Sequence, residues 1–212
     1  MAAGRNKSPI LSVITSEIDK LQRSALTPFR ILEIASGSGE HAAHFAANIP
    51  NVIYQPTEMD DSMHPTIVSS TTSIPGVLPP VTVDIRNFEH PFAELPASVR
   101  PGAVDLMICI NMIHISPFDC THALFRAASQ LLSATGFLYL YGPYRVNGTM
   151  VESNEAFDKS LKSRNAEWGI RDLEDVISIG EEHGLVFDKT VEMPANNLSV
   201  IFRKSKECVA TK

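Results

Sequence analysis

Apolar residues along this chain recur at two periods that take turns. Ile10, Leu11, Val13, Ile14, Ile18 and Leu21 keep close to a helical period, with Ser8 placed as a cap and Pro9 in the first turn, so the spacing predicts a helix over residues 8–24 ahead of the main fold. Arg30 to Ala35 is a short apolar run of strand type. Ser36-Gly37-Ser38-Gly39 ends it, and Ala42, Ala43, Phe45, Ala46 and Ala47 supply the buried face of a following helix. A second strand is predicted at Asn51 to Thr57, a polar helix or loop around Asp60 to Thr72, and a third strand at Pro79 to Asp84, its start marked by two prolines. Asn87 to Gly102 carries Pro91, Pro96 and Pro101 and reads as an irregular connection. Ala103 to Ile110 then makes a fourth buried strand, Pro117 to Ser133 an amphipathic helix, and Gly136 to Tyr141 a fifth strand. Helices near Glu152 to Lys162 and Ile170 to His183 precede closing strands at Leu185 to Met193 and Asn197 to Arg203.

Strands alternating with helices and closed by a hairpin specify an open α/β sheet, mainly parallel, with an antiparallel terminal strand and helices on both faces. No internal repeat or long linker divides it. Residues 1–28 read as an N-terminal helix or lid segment and residues 29–212 as one domain.

Composition narrows the class. The chain has 212 residues, of which 44% are hydrophobic and 20% charged, which is enough for one core and excludes disorder of the whole. Its net charge of −6 weighs against a nucleic-acid partner. Cys109, Cys120 and Cys208 are odd in number and lack C-x-x-C spacing, so neither a disulfide framework nor a zinc ribbon is supported. Cys109 reads as a small buried hydrophobe, whereas Cys120, near a helix start, is expected to have a lowered thiol pKa. No apolar stretch approaches the roughly 20 residues that cross a bilayer. The opening Met1 to Ser8 has no apolar core, and Ala2 stands where myristoylation needs glycine, so a cytoplasmic protein with no membrane partner is expected.

Candidate chemistry gathers where the first strand ends. Gly37-Ser38-Gly39-Glu40-His41-Ala42 matches G-x-G-x-x-A, in which small residues permit a tight turn and close approach of a ligand. Glu58 ends the next strand 21 residues after Gly37, where a carboxylate can hold a ribose diol. A nicotinamide site and an S-adenosylmethionine site both meet those facts. Glu33 and Asp84 separate them. A carboxylate inside an apolar strand is costly without a partner; the amino group and sulfonium of S-adenosylmethionine are cationic, whereas the diphosphate of a dinucleotide would be repelled. Asp84, ending the third strand, is then placed to accept a hydrogen bond from the adenine amine.

The chain resembles the DUF938 (UPF0585, methyltransferase-like 26) group of small class I methyltransferase-like proteins. The likeness runs from Arg5-Asn6-Lys7-Ser8-Pro9 to Phe202-Arg203. It rests on Leu32-Glu33-Ile34-Ala35-Ser36-Gly37-Ser38-Gly39-Glu40-His41-Ala42, Tyr54-Gln55-Pro56-Thr57-Glu58, Asn111-Met112-Ile113-His114-Ile115-Ser116, Tyr141-Gly142-Pro143-Tyr144, Ser153-Asn154, Phe157-Asp158, Trp168-Gly169-Ile170-Arg171-Asp172 and Met193-Pro194-Ala195-Asn196-Asn197. Ser38 replaces a usual Thr, and Thr57-Glu58 a usual Ser-Asp, with the chemistry kept. The resemblance implies a Rossmann-like class I methyltransferase fold and S-adenosylmethionine held at Glu33, Gly37, Gly39, Glu58 and Asp84, with Ala35 in the same turn. It implies little about the methyl acceptor.

Methyl transfer is an in-line displacement that positioning largely accelerates, though a neutral oxygen or nitrogen acceptor still has to lose a proton. His114 is the expected base or orienter, with Asn111 shaping the donor pocket. Tyr141, Tyr144, Asn154, Asp158, Trp168 and Arg171 follow the fifth strand and are candidates for the acceptor pocket. Arg5 and Asn6 are candidates to fold over the site and pair with the methionine carboxylate. His41 and His44 stand three apart with no third ligand evident, and read as ordinary helix residues with no metal. The expectation is an S-adenosylmethionine-dependent O- or N-methyltransferase of a small molecule. A non-catalytic protein that binds S-adenosylmethionine or S-adenosylhomocysteine, and a nicotinamide-dependent oxidoreductase, are the alternatives.

Overall fold

The apolar runs become strands, and the amphipathic stretches become the helices that cover them. The computed structural model describes residues 3–21, 24, 26–87 and 95–205. In chain order the elements are α1 (Ala3–Asp19), β1 (Phe29–Ile34), α2 (Glu40–Asn48), β2 (Val52–Glu58), α3 (His64–Thr71), β3 (Val81–Thr82), β4 (Val104–Ile110) and α4 (Asp119–Leu131). There follow β5 (Leu132–Gly142), β6 (Tyr144–Arg145), α5 (Glu152–Arg164), β7 (Arg171–Asp172), α6 (Leu173–Glu182), β8 (Leu185–Met193) and β9 (Asn197–Lys204).

Seven strands form one sheet in the order β3-β2-β1-β4-β5-β9-β8. β1 pairs in parallel with both β2 and β4, β2 with β3, and β4 with β5, while β9 runs against both of its neighbours. The chain therefore moves outward from β1 to β3 and returns on the other side at β4. The crevice at the exits of β1 and β4 is the switch point where open α/β sheets place their ligands.

Alternation along the strands sorts the core into two layers. Ile31, Leu106, Ile108, Phe137, Tyr139 and Ile201 face α1 and α2, against Ile10, Ile14, Ala42 and Phe45. Leu32, Met107, Cys109, Leu138, Leu140 and Phe202 face the opposite side, against Leu124, Phe125, Val176 and Ile179 of α4 and α6. No helix among the described residues is long and apolar enough to cross a membrane.

Two expectations are corrected and one element is added. The first helix begins by Ala3 and ends at Asp19, so Pro9 lies inside it rather than in its first turn. An interior proline forfeits one backbone hydrogen bond. Tertiary contacts hold the turn before it, where Lys7 pairs with Glu40 at 3.0 Å and Asn6 bonds His41 at 2.9 Å. The third strand shrinks to Val81–Thr82, a sheet edge just beyond Pro79 and Pro80, which leaves Asp84 past the strand rather than at its end. A small parallel pair, β6 with β7, joins Tyr144 to Arg171 and Arg145 to Asp172, and its two-residue strands leave no periodic signal. Of the irregular connection after Asn87, residues 88–94 lie outside the described residues, as does Cys208.

The far end of α1 is fixed by charge. Glu17 is buried and accepts hydrogen bonds from Lys20 of its own helix, Lys189 of β8 and Arg203 of β9. Burial raises its pKa, but the hydrogen bonds and charges of Lys189 and Lys20 outweigh that and hold the carboxyl below its ordinary range. Stabilisation from a lowered carboxyl pKa is complete above the unfolded value and is lost as pH falls through the folded one. Glu17→Gln should therefore lower stability at pH 7 by on the order of 2 kcal/mol in urea unfolding, with the gap closing in acid. Equal midpoints at pH 7 would mean that the cluster does not anchor the helix.

Candidate functional site

The turn from β1 into α2 uses left-handed backbone at every second residue: Ala35 (φ 57°), Gly37 (φ 54°) and Gly39 (φ 74°). The two glycines are there for different reasons. A Cβ on Gly39 would stand 3.0 Å from the Ile67 Cα, so this position is closed by α3 packing on the turn. A Cβ on Gly37 would meet no atom within 4 Å, because this position faces open space. Ala35 bears a Cβ in the same left-handed region, which costs roughly 1–2 kcal/mol and signals an over-determined site.

The end of β2 stitches the turn in place. The Ser36 amide donates to the Thr57 carbonyl at 2.8 Å, and the Thr57 hydroxyl donates to the Glu33 carbonyl at 2.7 Å. Glu58 Oε2 accepts from the Gly37 amide at 2.9 Å and Oε1 from the Met59 amide at 2.9 Å. A third, longer bond reaches Oε1 from the Asp60 amide at 3.4 Å, and since a carboxylate has about four acceptor positions, Glu58 keeps room for one further donor such as a ribose hydroxyl.

A cavity of about 550 Å³ opens beside this turn, bounded by the exits of β1, β2 and β4 and by the segment after β3. Of the residues expected to hold a donor, Ala35, Gly37, Glu58, Asp84 and Asn111 lie on its wall, and so does Trp168 from the acceptor set. Apolar side chains, among them Ile34, Val83, Ile85, Ile110 and Met112, make up most of the remainder. Asn111 has φ 58° and its amide donates to the Tyr141 carbonyl at 2.8 Å, so left-handed non-glycine residues mark the exits of both central strands. Asp84 is engaged by Arg86, which reaches Oδ1 at 3.0 Å and Oδ2 at 2.8 Å and holds the carboxyl below its ordinary range. An adenine amine would share that carboxylate with a guanidinium.

Other expected residues are not on the wall. Arg5 is exposed in the first turns of α1. Asn6 is buried, with its amide bonded to His41. Glu33 is 1% exposed and points into the α1–α2 side of the core, with Oε2 lacking a partner among the described residues. Burial raises its pKa from 4.5 to about 7. The Ser36 and Tyr54 hydroxyls offset part of that cost, although the Tyr54 hydroxyl lies close without the alignment of a hydrogen bond.

His114 is sealed in the cap above the sheet. Its ring packs edge-on to Phe157 at 5.7 Å, and Nδ1 is buried without a partner among the described residues, 3.1 Å from where a Cβ on Gly142 would be. Burial, then the charge of Arg171, pushes its pKa down to about 4. The other acceptor candidates build that cap. Arg171 donates to the carbonyls of Ile113, Ser116 and Glu167, Asp158 accepts from the Ile170 amide and Lys162, and Asn154 donates to the Asn196 carbonyl. Tyr144 is buried in the α4–α6 layer and Tyr141 in the α1–α2 layer.

Cys120 corrects another expectation. It lines the cavity, but burial raises its thiol pKa above the usual range, which outweighs the Ser116 hydroxyl and Arg86. Burial likewise pushes the Cys109 thiol up. His41, read from sequence as an ordinary helix residue, is on the cavity wall with Nε2 2.9 Å from Asn6 Oδ1, while His44 turns to Ser8. Its place two residues after Gly39 was the available signal; its partner lies 35 positions away in sequence.

Solved structures share this architecture. The CurJ carbon methyltransferase superposes with a TM-score of 0.70 at 17% identity, over 95% of this chain and 54% of that one. The mitomycin 7-O-methyltransferase MmcR gives 0.69 at 13% identity, over 93% and 55%. Human N-acetylserotonin methyltransferase in complex with S-adenosylmethionine gives 0.68 at 13% identity, over 86% and 49%. The chain thus spans about half the length of these structures, and at such identities the likeness is one of fold: a class I methyltransferase sheet. The family model described as "Protein of unknown function (DUF938)" covers residues 1–204, and the chain belongs to that family.

Proposed function

We propose that the protein is an S-adenosylmethionine-dependent methyltransferase acting on a small-molecule acceptor at oxygen or nitrogen. The observation that carries this reading is the open, left-handed Gly37 on the wall of a cavity at the switch point, flanked by acceptor carboxylates at Glu58 and Asp84. The donor set fits the group. Glu58 is placed to accept from a ribose hydroxyl, Asp84 from an adenine amine, and the apolar wall from Val83 to Met112 suits an adenine ring. Glu33, off the cavity wall, is a buried carboxyl that burial disfavours as an anion.

Bound in this cavity, the donor supplies an electrophilic methyl group on a sulfonium. The chain's own residues orient that group through the β1–α2 turn, exclude water with the apolar wall, and keep the acceptor in line with it. The acidic net charge and the modest size of the cavity support a small acceptor rather than a nucleic acid.

The reading is tested by supplying purified protein and S-adenosylmethionine to a cell extract and searching by mass spectrometry for a species that gains one methyl group. Such a species identifies the acceptor. Retention of S-adenosylhomocysteine with no methylated species would favour a non-catalytic binding protein instead.

Gly37→Val should abolish S-adenosylhomocysteine binding in calorimetry while the far-ultraviolet dichroism stays native, since the added side chain enters the cavity and strains only the left-handed turn. Undiminished affinity would make the turn purely structural. Glu33 gives a pH-dependent test. Its folded pKa lies above the unfolded one, so ionisation costs stability as pH rises from 4.5 to about 7 and the penalty is constant thereafter. Glu33→Gln should therefore be more stable than the parent above pH 7, by on the order of 3 kcal/mol, and no more stable near pH 4. A difference independent of pH would contradict the buried, reluctantly ionised carboxyl.

A further inference from the structure

Two buried imidazoles stand near the cavity, and the structure separates them. His114 has Nδ1 closed off in the cap. His41 alone among the histidines of the described residues lines the cavity, from the first turn of α2 immediately after the glycine turn.

The surroundings of His41 occupy one of its two nitrogens. Nε2 lies 2.9 Å from Asn6 Oδ1, so Nε2 carries the proton and donates it to the amide oxygen. Asn6 also acts on the Tyr141 hydroxyl, whose ionised form it favours against the opposing effect of burial. Asn6 of α1 thus stands between His41 of α2 and Tyr141 of β5. With Nε2 engaged by Asn6, Nδ1 is the unprotonated nitrogen, with no hydrogen-bond partner among the described residues. Burial keeps the ring neutral, with a pKa pushed down to about 4; Glu40 opposes this, and His44 and Lys7 reinforce it. Those three, with Tyr141, are the titratable groups that face His41 from α1, α2 and β5. A neutral imidazole with a fixed tautomer and one free lone pair on a cavity wall is arranged to receive a proton.

We propose that His41 is the proton acceptor of this site, with Asn6 its positioning residue, and that the substrate is therefore a neutral hydroxyl or amine that must lose a proton as it is methylated. This rests on the methyltransferase reading. In the step, a lone pair of the acceptor atom forms the new bond to the methyl carbon, the electron pair of the carbon–sulfur bond passes to sulfur, and the acceptor's proton moves to His41 Nδ1, later to leave for water. The imidazolium formed keeps its Nε2 hydrogen bond to Asn6, as a base oriented by a second group does in hydrolytic triads.

The test is the nitrogen spectrum of histidine-labelled protein, alone, with S-adenosylhomocysteine, and with sinefungin, which bears an amine where the donor bears its methylated sulfur. Free protein should show His41 protonated at Nε2 and bare at Nδ1. Asn6→Ala should let the proton distribute over both nitrogens, a change that a merely structural Asn6 would not produce. Sinefungin should move the Nδ1 resonance well beyond any change caused by S-adenosylhomocysteine. His41→Gln should keep S-adenosylhomocysteine affinity and lose roughly 100-fold in methyl transfer to the extract acceptor. A proton on Nδ1 in the free protein, an Nδ1 resonance indifferent to bound sinefungin, or full transfer by His41→Gln overturns the assignment to His41 and leaves the donor site standing. Failure of the parent protein to retain either ligand overturns the donor site, and the proposal with it.

Discussion

A parallel strand that turns directly into a helix leaves amides of the turn and of the first helical residues without helical partners, and the site depends on how the exit of β1 arranges them. Here the turn is forced through three left-handed residues, Ala35, Gly37 and Gly39, and is then clamped from the side by β2. Glu58 takes the Gly37 amide, and Ser36 and Thr57 cross-link the two strand ends. The clamp makes the bend rigid, and the missing side chain at Gly37 keeps it open. With either feature removed, the crevice between β1 and β4 would close or lose its shape.

Costs cluster around the same crevice. Ala35 and Asn111 are non-glycine residues in left-handed backbone, Glu33 is a carboxyl buried where its anion is disfavoured, and His41 and His114 are imidazoles kept neutral by burial. Elsewhere the sheet is packed by ordinary alternation into two apolar layers, and the other left-handed non-glycine residues, Asn51, Asn147, Ala195 and Asn196, lie in connections between elements. Sites that bind or react are where proteins accept such local violations, because the remainder of the fold compensates for them. The Glu17 cluster at the opposite end of α1 belongs to that compensation. It holds the helix whose first turns carry Asn6 and Lys7 to the neighbourhood of the cavity.

The sheet was legible in the sequence because buried parallel strands read as short apolar runs between turn residues, as β1, β4 and β5 do. The closing hairpin was legible from its length and the Pro194-Ala195-Asn196 break. What was misread had weak local signals. Pro9 looks like a helix start, and only contacts with α2, more than thirty residues on, carry the helix back past it. At the cavity, Gly37 and Glu58 are legible because they sit at strand ends, and Asp84 because it follows β3 closely. The role proposed for His41 is not, since it depends on Asn6, which the fold brings from another helix. His114 misleads for the converse reason. A histidine after β4 is well placed in sequence, yet Phe157 and the Arg171 bridge to Ile113 and Ser116 roof it over.

The central claim is that the β1 exit cradles the methionine-derived donor. A crystal structure grown with S-adenosylhomocysteine tests it most directly. The account predicts density lying across Gly37, with a ribose hydroxyl on Glu58 and the adenine between Asp84 and Met112. Density at another surface, or an empty crevice at saturating ligand, would contradict it.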